Sequence, residues 1–355
     1  MFYKNFIFLF LFFPSILFCE QADLIYLRKE LQNKTTTASK ASSLEILNVS
    51  YDPTREFYQE YNQLFIHWWK KQTGQSVNVI QSHGGSGKQA RSVISGLKAD
   101  VVSLGLALDI DTIEIFKGLV GTNWQKRLPN MSVPYFSTIV FLVRKNNPKN
   151  IRDWDDLVRK DVNVITPNPK TSGGAKWTYL AAWNFGLKRS HGDVEKTKAY
   201  IQKLYANVPV LDTGARGSAA TFTQRKMGDV LLAWENEAYL AREKMGPSEY
   251  EIIYPSMSIR AEPPVTWIET IIKEKGTEDV SKFYLMYLYS TQAQILIAKN
   301  AFRPYDKEVE NRYQKKFPFI QMTSIEDFGG WEVVDEIHFK DNGIFDQIYF
   351  SGRKT

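Results

Sequence analysis

The stretch SVNVIQSHGGSGKQARSVISGLKADVVSLGLA, residues 76–107, contains the pattern on which the fold prediction rests. Apolar residues alternate through 76–82, which predicts a strand, and a glycine-rich turn follows. Ser86 and Gln89 then have the spacing of a capping box at the start of an amphipathic helix. Another apolar run at 99–107 predicts the next strand. Strand, glycine turn and helix in alternation indicate an α/β fold.

The glycine turn does not match a nucleotide-binding loop. A Walker A loop has a glycine, four residues, and then Gly-Lys followed by Ser or Thr. Ser82 stands where the first glycine is required, and Gln89 stands where the Mg²⁺-binding hydroxyl is required. What remains is a turn at a helix N-terminus, whose unpaired N–H groups and dipole favour an anion.

The preceding segment, 44–74, shows a similar strand–turn–helix pattern. Residues 44–50 predict a strand, and Asp52 is expected to cap a helix whose first position is Pro53. Gly74 is expected to end that helix. Ser86 and the amide of Asp52 are therefore candidate anion contacts.

The second half of the chain repeats this arrangement. Residues 162–186 predict a strand, the turn TSGGA (171–175) and a helix that ends at Gly186. The turn TGARGS (213–218) opens the next unit, which ends in a buried strand at 230–234. The two turns are further candidate contacts. Two long extended runs, 133–148 and 250–272, predict crossings between two lobes.

The N-terminus has the composition of an export signal. Lys4 precedes the apolar run 6–18, which is too short to span a membrane. Cleavage after Cys19 or Ala22 would release the mature chain. Cys19 also fits a lipoprotein, but Phe18 before it is larger than a lipobox residue, so soluble export is favoured.

Composition excludes several classes of protein. The 355 residues carry a net charge of +6, and 43% are hydrophobic, which is typical of a globular chain with no dense basic tract for nucleic acid. The four histidines have no metal-ligand spacing. His83 lies close to Ser86 without a nucleophile elbow, and Asp109 with Asp111 is interpreted as a helix cap. We therefore expect no catalysis, no metal and no cofactor.

Six segments in order resemble the periplasmic sulfate-binding proteins of ABC importers. They span the chain from about residue 44 to 304 and read NVSYDPTREFY, SHGGSGKQARSVISGLKADVV, NPKTSGGAKWTYLAAW, LDTGARGSAATF, DVLLAWENEA and AEPPV. Arg260 before AEPP departs from the apolar residue usual there. The resemblance implies a two-lobed type II periplasmic-binding-protein fold, with a mixed sheet flanked by helices in each lobe and the ligand between them.

The same resemblance implies a set of hydrogen-bond donors for sulfate. By motif they are the Asp52 amide, Ser86, Ser172, the Gly173 and Gly174 amides, the Ala215 amide and the Trp234 indole. From the residues alone, Trp234 would be interpreted as a core aromatic. Sulfate at neutral pH accepts hydrogen bonds only, so a site of donors satisfies it, whereas an unpaired phosphate O–H costs about 1–3 kcal/mol. We expect Asp52 to turn its carboxylate away and cap its own helix.

The predicted organisation follows from these features. Residues 1–22 form the signal peptide, 23–43 a polar extension, 44–134 with 256–355 the first lobe, and 135–255 the second lobe. A monomer is expected to carry sulfate in the periplasm to the permease subunits of an ABC importer, without nucleic acid. Alternative ligands are thiosulfate, molybdate, tungstate and phosphate. A phosphoryl-transfer enzyme is the alternative from another class.

Overall fold

The structure of the chain, a computed structural model, describes residues 43–246 and 248–351. The predicted signal peptide, and the predicted polar extension up to residue 42, lie outside the described residues. Within the described ranges, no helix has both the length and the apolar character that a membrane span requires.

The strands and helices alternate through most of the chain, as the sequence predicts. The strands are β1 (Leu44–Tyr51), β2 (Val77–Gly84), β3 (Val101–Ser103), β4 (Tyr135–Phe136), β5 (Ile139–Arg144), β6 (Val164–Pro167), β7 (Leu211–Asp212), β8 (Val230–Trp234), β9 (Tyr250–Ile253), β10 (Met257–Ile259), β11 (Val265–Trp267), β12 (Arg303–Pro304) and β13 (Gln321–Thr323). The helices of seven or more residues are α1 (Arg55–Thr73), α2 (Ser86–Ile94), α3 (Ala107–Lys117), α4 (Gly173–Arg189), α5 (Val194–Ala206), α6 (Ala215–Thr223), α7 (Glu235–Met245), α8 (Glu269–Lys275), α9 (Glu278–Met286), α10 (Thr291–Lys299), α11 (Lys307–Tyr313) and α12 (Ile344–Ser351).

Two separate main sheets confirm the expected two-lobed α/β architecture. The first has the order β11-β3-β1-β2, with β1 parallel to both neighbours and β11 antiparallel to β3. The second has the order β7-β6-β8-β5-β9, with β5 antiparallel to β8 and β9. Both sheets are therefore mixed. Helices cover them, because strands that are buried on both faces need apolar partners on each side.

Helix α1 contributes much of the first lobe's core through its aromatic face. Phe57, Tyr61, Phe65 and Trp68 are buried in a cluster with residues of β1, β3 and α9. Gly74 has a φ of 74° and ends the helix in the left-handed conformation, as predicted. The predicted strand at 99–107 is shorter in the structure, because α3 already begins at Ala107.

Helix α4 runs past Gly186, so the prediction that the helix ends there is wrong. A Cβ atom at Gly186 would lie 2.9 Å from Thr197 Cγ2 and 3.0 Å from Tyr200 Cδ1. Both neighbours belong to α5, against which α4 packs. The glycine therefore allows close contact between two helices instead of ending one of them.

The two predicted crossings run side by side between the lobes. β4 pairs with β12, whereas β5, after a gap of two residues, belongs to the second sheet. The return run contains β9 of the second sheet and β11 of the first. Ser137 and Ala261 join the crossings by two backbone hydrogen bonds of 2.9 Å each. This bridge forms a two-stranded connection between the lobes.

The end of the chain packs on the second lobe. Trp331, Phe339 and Phe345 share a buried cluster with Trp177 and Tyr179 of α4. Lys176 forms a 2.7 Å ion pair with Asp335 across the same contact. This packing differs from the predicted assignment of 256–355 to the first lobe. The C-terminal helices cover the apolar surface that α4 and α5 leave exposed.

Candidate functional site

The predicted site residues follow or end strands of the two main sheets. In the first lobe Asp52 follows β1, and Ser86 begins α2 just after β2. In the second lobe Ser172 precedes α4, Ala215 begins α6, and Trp234 ends β8. The site is therefore built from strand-to-helix turns, where main-chain N–H groups lack partners within the helix.

Contacts between these turns bring the two lobes together at a cleft. A Cβ atom at Gly173 would lie 3.2 Å from the Cβ of Ser86 in the other lobe. The Asn236 side chain, just after β8, donates to the Pro53 carbonyl at 3.1 Å. Within the second lobe, the Thr171 hydroxyl donates to the Thr213 carbonyl at 3.0 Å. The turns that the sequence singles out are neighbours in space.

Asp52 does not cap a helix, which corrects the prediction from sequence. It is the first residue of a 3₁₀ turn, Asp52–Thr54, whose N-cap is Tyr51, and no side chain caps that turn. The Asp52 carboxylate instead pairs with Arg55 at 3.2 Å. The carboxylate is thus neutralised by a neighbour on the next turn, and Asp52 stays available for a contact through its amide.

Ser86 and Gln89 do not form the predicted capping box. The Gln89 amide donates to the Ser50 carbonyl at 3.1 Å and to the Ser82 hydroxyl at 3.2 Å. The Ser86 hydroxyl accepts from the Gly105 amide at 2.9 Å and donates to the Asp109 carboxylate. Asp109 is thus a residue of the site that the sequence assigned to a cap, and its burial raises the pKa of its carboxyl group.

Ser172 is the N-cap of α4, and the two glycines after it admit close contacts. The Ser172 hydroxyl oxygen accepts from the Ala175 amide at 3.3 Å, which leaves its proton free to donate. A Cβ at Gly174 would lie 3.1 Å from the Trp234 Nε1 atom. Both Gly173 and Gly174 are buried, so larger residues would push the turn away from its neighbours.

Trp234 is buried, with 2% of its surface exposed, and its indole already has an acceptor. The Nε1 atom donates to the Gly174 carbonyl at 3.1 Å, and the ring lies 5.5 Å from the Tyr51 ring. The residue therefore combines the core role that its type suggests with a position at the cleft. To bind an anion, the indole N–H would have to donate to the anion and this carbonyl at once, or donate to the anion in place of the carbonyl.

One small cavity brings part of the predicted set together. It is lined by Gly174, Ala215 and Trp234, with Ser218 and Glu237 beside them. The Ser218 hydroxyl is buried without a hydrogen-bond partner. Asp52, Ser86, Ser172 and Gly173 lie outside this lining.

Charged side chains at the cleft pair with one another. Arg216, next to Ala215, lies 2.5 Å from Glu56 and 3.6 Å from the buried Glu237. Lys244 also pairs with Glu56 at 3.0 Å. Burial raises the pKa of Glu237; at Glu56 the hydrogen bonds from Arg216 and Lys244 outweigh burial and lower the pKa. The sequence predicts neither glutamate as part of the site, although both lie in segments that carry the resemblance, Glu56 in NVSYDPTREFY and Glu237 in DVLLAWENEA.

Glu237 changes the prediction of a site made of donors alone. Its carboxyl group is an acceptor in the wall of the cavity that also holds the Trp234 indole. Sequence spacing could have drawn attention to it, since Glu237 lies three residues after Trp234 and so about one helical turn further on. An anion in this cavity would therefore lie near one buried acid as well as several donors.

The structure does not place His83 as a base for Ser86. The His83 Nδ1 atom is hydrogen-bonded to the Ser50 hydroxyl at 2.6 Å, and the Nε2 atom contacts the Gln81 amide oxygen at 3.0 Å. Burial lowers the pKa of His83 to about 4. Among the described residues, no group of His, Cys, Asp and Glu side chains has an arrangement that could hold a metal ion.

Comparison with known proteins gives a consistent assignment. The family model described as a bacterial extracellular solute-binding protein matches residues 53–303. The chain is 53% identical over 313 residues to the sulfate-binding protein of Escherichia coli K12, an alignment that covers 88% of this chain and 95% of that relative. It is 47% identical over 305 residues to the thiosulfate-binding protein of Pseudomonas aeruginosa, covering 86% of this chain and 92% of that relative.

A solved structure agrees with the architecture. The sulfate-binding protein SubI of Mycobacterium tuberculosis H37Rv superposes with a TM-score of 0.74 at 31% sequence identity. The match covers 82% of this chain and 98% of SubI. The similarity therefore extends over both lobes.

Proposed function

The chain belongs to the bacterial extracellular solute-binding proteins, and we propose that it captures sulfate between its lobes and delivers it to an ABC importer. Relatives that align over most of their length with this chain bear the name sulfate-binding protein. The proposal involves no chemical step. Asp52, Ser86, Ser172, Gly173, Gly174, Ala215 and Trp234 are the proposed contacts.

One observation carries the proposal. Strand-to-helix turns from both lobes meet at a single cleft, while the charged side chains beside them are paired with each other. Each helix N-terminus carries roughly half a positive charge in its aligned peptide dipoles. Several such ends around one cavity would hold a doubly charged anion without a direct salt bridge.

Discrimination between sulfate and phosphate follows from the polar groups in the wall. Sulfate needs donors only, which the Trp234 indole, the Ser172 hydroxyl and main-chain amides supply. Monohydrogen phosphate also needs an acceptor for its proton, and the buried Glu237 carboxyl group lies in the wall of the same cavity. Because Arg216 lies 3.6 Å from Glu237, we propose that the carboxylate is turned towards the guanidinium, which leaves phosphate unsatisfied.

Capture would be coupled to closure of the lobes. The bridge between Ser137 and Ala261 joins the two crossings that connect the lobes, so a small rotation there would open the gap. The contacts between Asn236 and Pro53, and between Lys244 and Glu56, join the two lobes directly. We propose that these contacts form when the lobes close around the anion.

Thiosulfate is the second candidate ligand. Relatives named thiosulfate-binding protein are 47% and 43% identical to this chain, values that lie between the 53% and the 37% of relatives named sulfate-binding protein. Thiosulfate is also a tetrahedral dianion without a proton at neutral pH, so the same donors would satisfy it.

Thermal unfolding with added ligands tests the proposal. Sulfate, thiosulfate, molybdate, phosphate and Mg-ATP are added separately at concentrations up to the millimolar range. A ligand at a hundred times its Kd stabilises the folded chain by about 2.7 kcal/mol, which raises the Tm. We expect sulfate to give the largest rise and phosphate and Mg-ATP to give none. A rise with Mg-ATP alone would indicate a nucleotide enzyme and overturn the proposal.

The location and partners of the chain follow from the same reasoning. We propose that residues 1–22 direct export and that the mature monomer works in the periplasm, in keeping with the extracellular family to which it belongs. Its partner would be the permease of a sulfate importer. Secretion of a reporter protein fused after residue 22, measured by fractionation, tests the export signal.

A further inference from the structure

The Ser86 hydroxyl at the cleft is held from two sides within the first lobe. It donates its proton to the Asp109 carboxylate and accepts the Gly105 amide at 2.9 Å. A serine hydroxyl has one proton, so this proton is no longer available to an anion. If Ser86 contacts an anion, it therefore does so through its main-chain N–H.

The Gly105 residue extends this arrangement to the other lobe. Its carbonyl accepts a hydrogen bond from the indole Nε1 of Trp177 at 2.9 Å. Trp177 lies on α4, one turn after Gly173 and Gly174, and it is fully buried. Gly105 thus has its N–H held by Ser86 and its carbonyl held from across the cleft.

These bonds form a continuous chain from Asp109 through Ser86 and Gly105 to Trp177. It links the N-terminus of α2 in the first lobe with the first turns of α4 in the second. A hydroxyl that donates to a carboxylate becomes a better acceptor, because neighbouring hydrogen bonds polarise one another. The Asp109 charge therefore strengthens the bond that holds the Gly105 amide in place.

We propose that Asp109 is a positioning residue that prolongs the closed state. It fixes Ser86 and Gly105 so that the Trp177 indole finds its acceptor when the lobes meet. This inference rests on the proposed anion capture, since closure is defined by the bound anion. The bond between Trp177 and Gly105 exists only when the lobes touch, so its loss should speed release of the anion and leave capture unchanged.

Stopped-flow tryptophan fluorescence with sulfate tests this role. We expect Asp109→Ala and Trp177→Phe each to raise koff about tenfold, while kon changes less than about twofold. The double variant should raise koff no further than the stronger single variant, because both changes interrupt the same chain. In a Ser86→Ala background, Asp109→Ala should have no additional effect.

Asp111→Ala is the matched control. Asp111 lies on the same helix, α3, and its carboxylate accepts from the Trp124 indole at 2.8 Å within the first lobe. We expect this variant to keep the wild-type koff. Trp177→Phe keeps an aromatic ring against Trp331, whose ring lies 4.6 Å away, and it replaces Asp109→Ala if that variant does not fold.

The outcomes separate the two proposals. If the wild type binds sulfate and koff is unchanged in both Asp109→Ala and Trp177→Phe, the inference is wrong. The proposed function would then still stand. Equal changes in kon and koff, or fully additive effects in the double variant, would also overturn the inference. No sulfate binding by the wild type would overturn the proposed function, and the inference with it.

Discussion

Charged side chains around the cleft form ion pairs with other charged side chains and do not lie free at the helix N-termini. Arg55 pairs with Asp52, and Arg216 pairs with Glu56. Lys88, which the nucleotide pattern would place on a phosphate, is exposed to solvent. The attraction for an anion is therefore left to main-chain amides and a few neutral donors, which have low desolvation costs compared with a buried cation.

Ser172→Ala is expected to weaken sulfate binding by about tenfold or more, because it removes a hydroxyl donor from a charged ligand. It also removes the cap of α4, which costs about 1 kcal/mol of stability. Ser290→Ala is the matched control, since Ser290 caps α10 by the same bond to a main-chain amide, at 3.3 Å. Thermal unfolding should show a loss of stability in both variants, and calorimetry with sulfate should show a loss of affinity in Ser172→Ala alone.

Trp234→Phe should weaken sulfate binding by about 1.5–3 kcal/mol, the cost of losing a donor to a charged group. The ring remains to pack against Tyr51, and the Gly174 carbonyl that loses the indole N–H keeps the Thr178 hydroxyl as a donor, so the apo Tm should fall only modestly. Isothermal titration with sulfate measures the effect. An affinity equal to that of the wild type would remove the indole from the binding set.

At single positions, the sequence predicts the backbone conformation of the turns better than the hydrogen-bond partners of their side chains. The glycines at 173 and 174 were placed correctly at a helix start, because backbone freedom at a turn is a local property. The partner of Ser86 was missed, since Asp109 lies 23 positions later. Only the folded sheet brings β3 and α3 beside α2.

Helices and strands show the same contrast: bounds set by local sequence are predicted correctly, and those set by distant contacts are not. The strand at 230–234 and the helix end at Gly74 agree with prediction, because apolar runs and left-handed glycines are visible along the chain. The predicted end of α4 at Gly186 is wrong, since this glycine serves a contact with α5. The capping role of Asp52 was also wrong, because Arg55 competes for its carboxylate.

His338, in the π-helical turn Asp335–Phe339, should make the second lobe sensitive to acid. Burial lowers its pKa to about 4, and its neighbours are the rings of Tyr179, Trp183 and Phe339. The unfolded chain binds a proton below about pH 6.5, which the folded chain does not bind until about pH 4. Stability is therefore complete above pH 6.5 and falls as pH decreases, by up to about 3 kcal/mol.

Urea unfolding at pH 7 and pH 5 measures this effect. His338→Gln should show a smaller loss of stability between the two pH values than the wild type. His83, whose pKa is also lowered, should leave some loss in the variant. The exposed His67→Gln is the control and should behave as the wild type does. Equal pH slopes in His338→Gln and the wild type would contradict the prediction.

The whole molecule is two lobes joined by paired crossings, with direct contacts between the lobes at the cleft. The two extended runs at 133–148 and 250–272 were enough to predict this division, because long extended segments are unusual between helices. Sequence did not reveal which lobe the C-terminal helices cover. That choice depends on the apolar surface left open by α4 and α5, which only the assembled lobe presents.

Glu56→Gln is expected to raise the release rate of sulfate about two- to fivefold. The change weakens the pairs that join Glu56 of α1 to Arg216 and Lys244 of the other lobe, and such partly exposed pairs contribute up to about 1 kcal/mol. Stopped-flow release at low ionic strength measures the effect, which should shrink near 1 M salt. The exposed Glu60→Gln on the same helix serves as control, and an equal effect in both variants would argue against the pairing.

The packing of residues between 331 and 349 against α4 has a consequence for biosynthesis. Trp177, Tyr179 and Trp183 emerge from the ribosome long before the helices that shelter them. The second lobe cannot finish its interior until these residues have been synthesised, so a truncation before residue 331 should expose the aromatic face of α4 and make this lobe more sensitive to proteases.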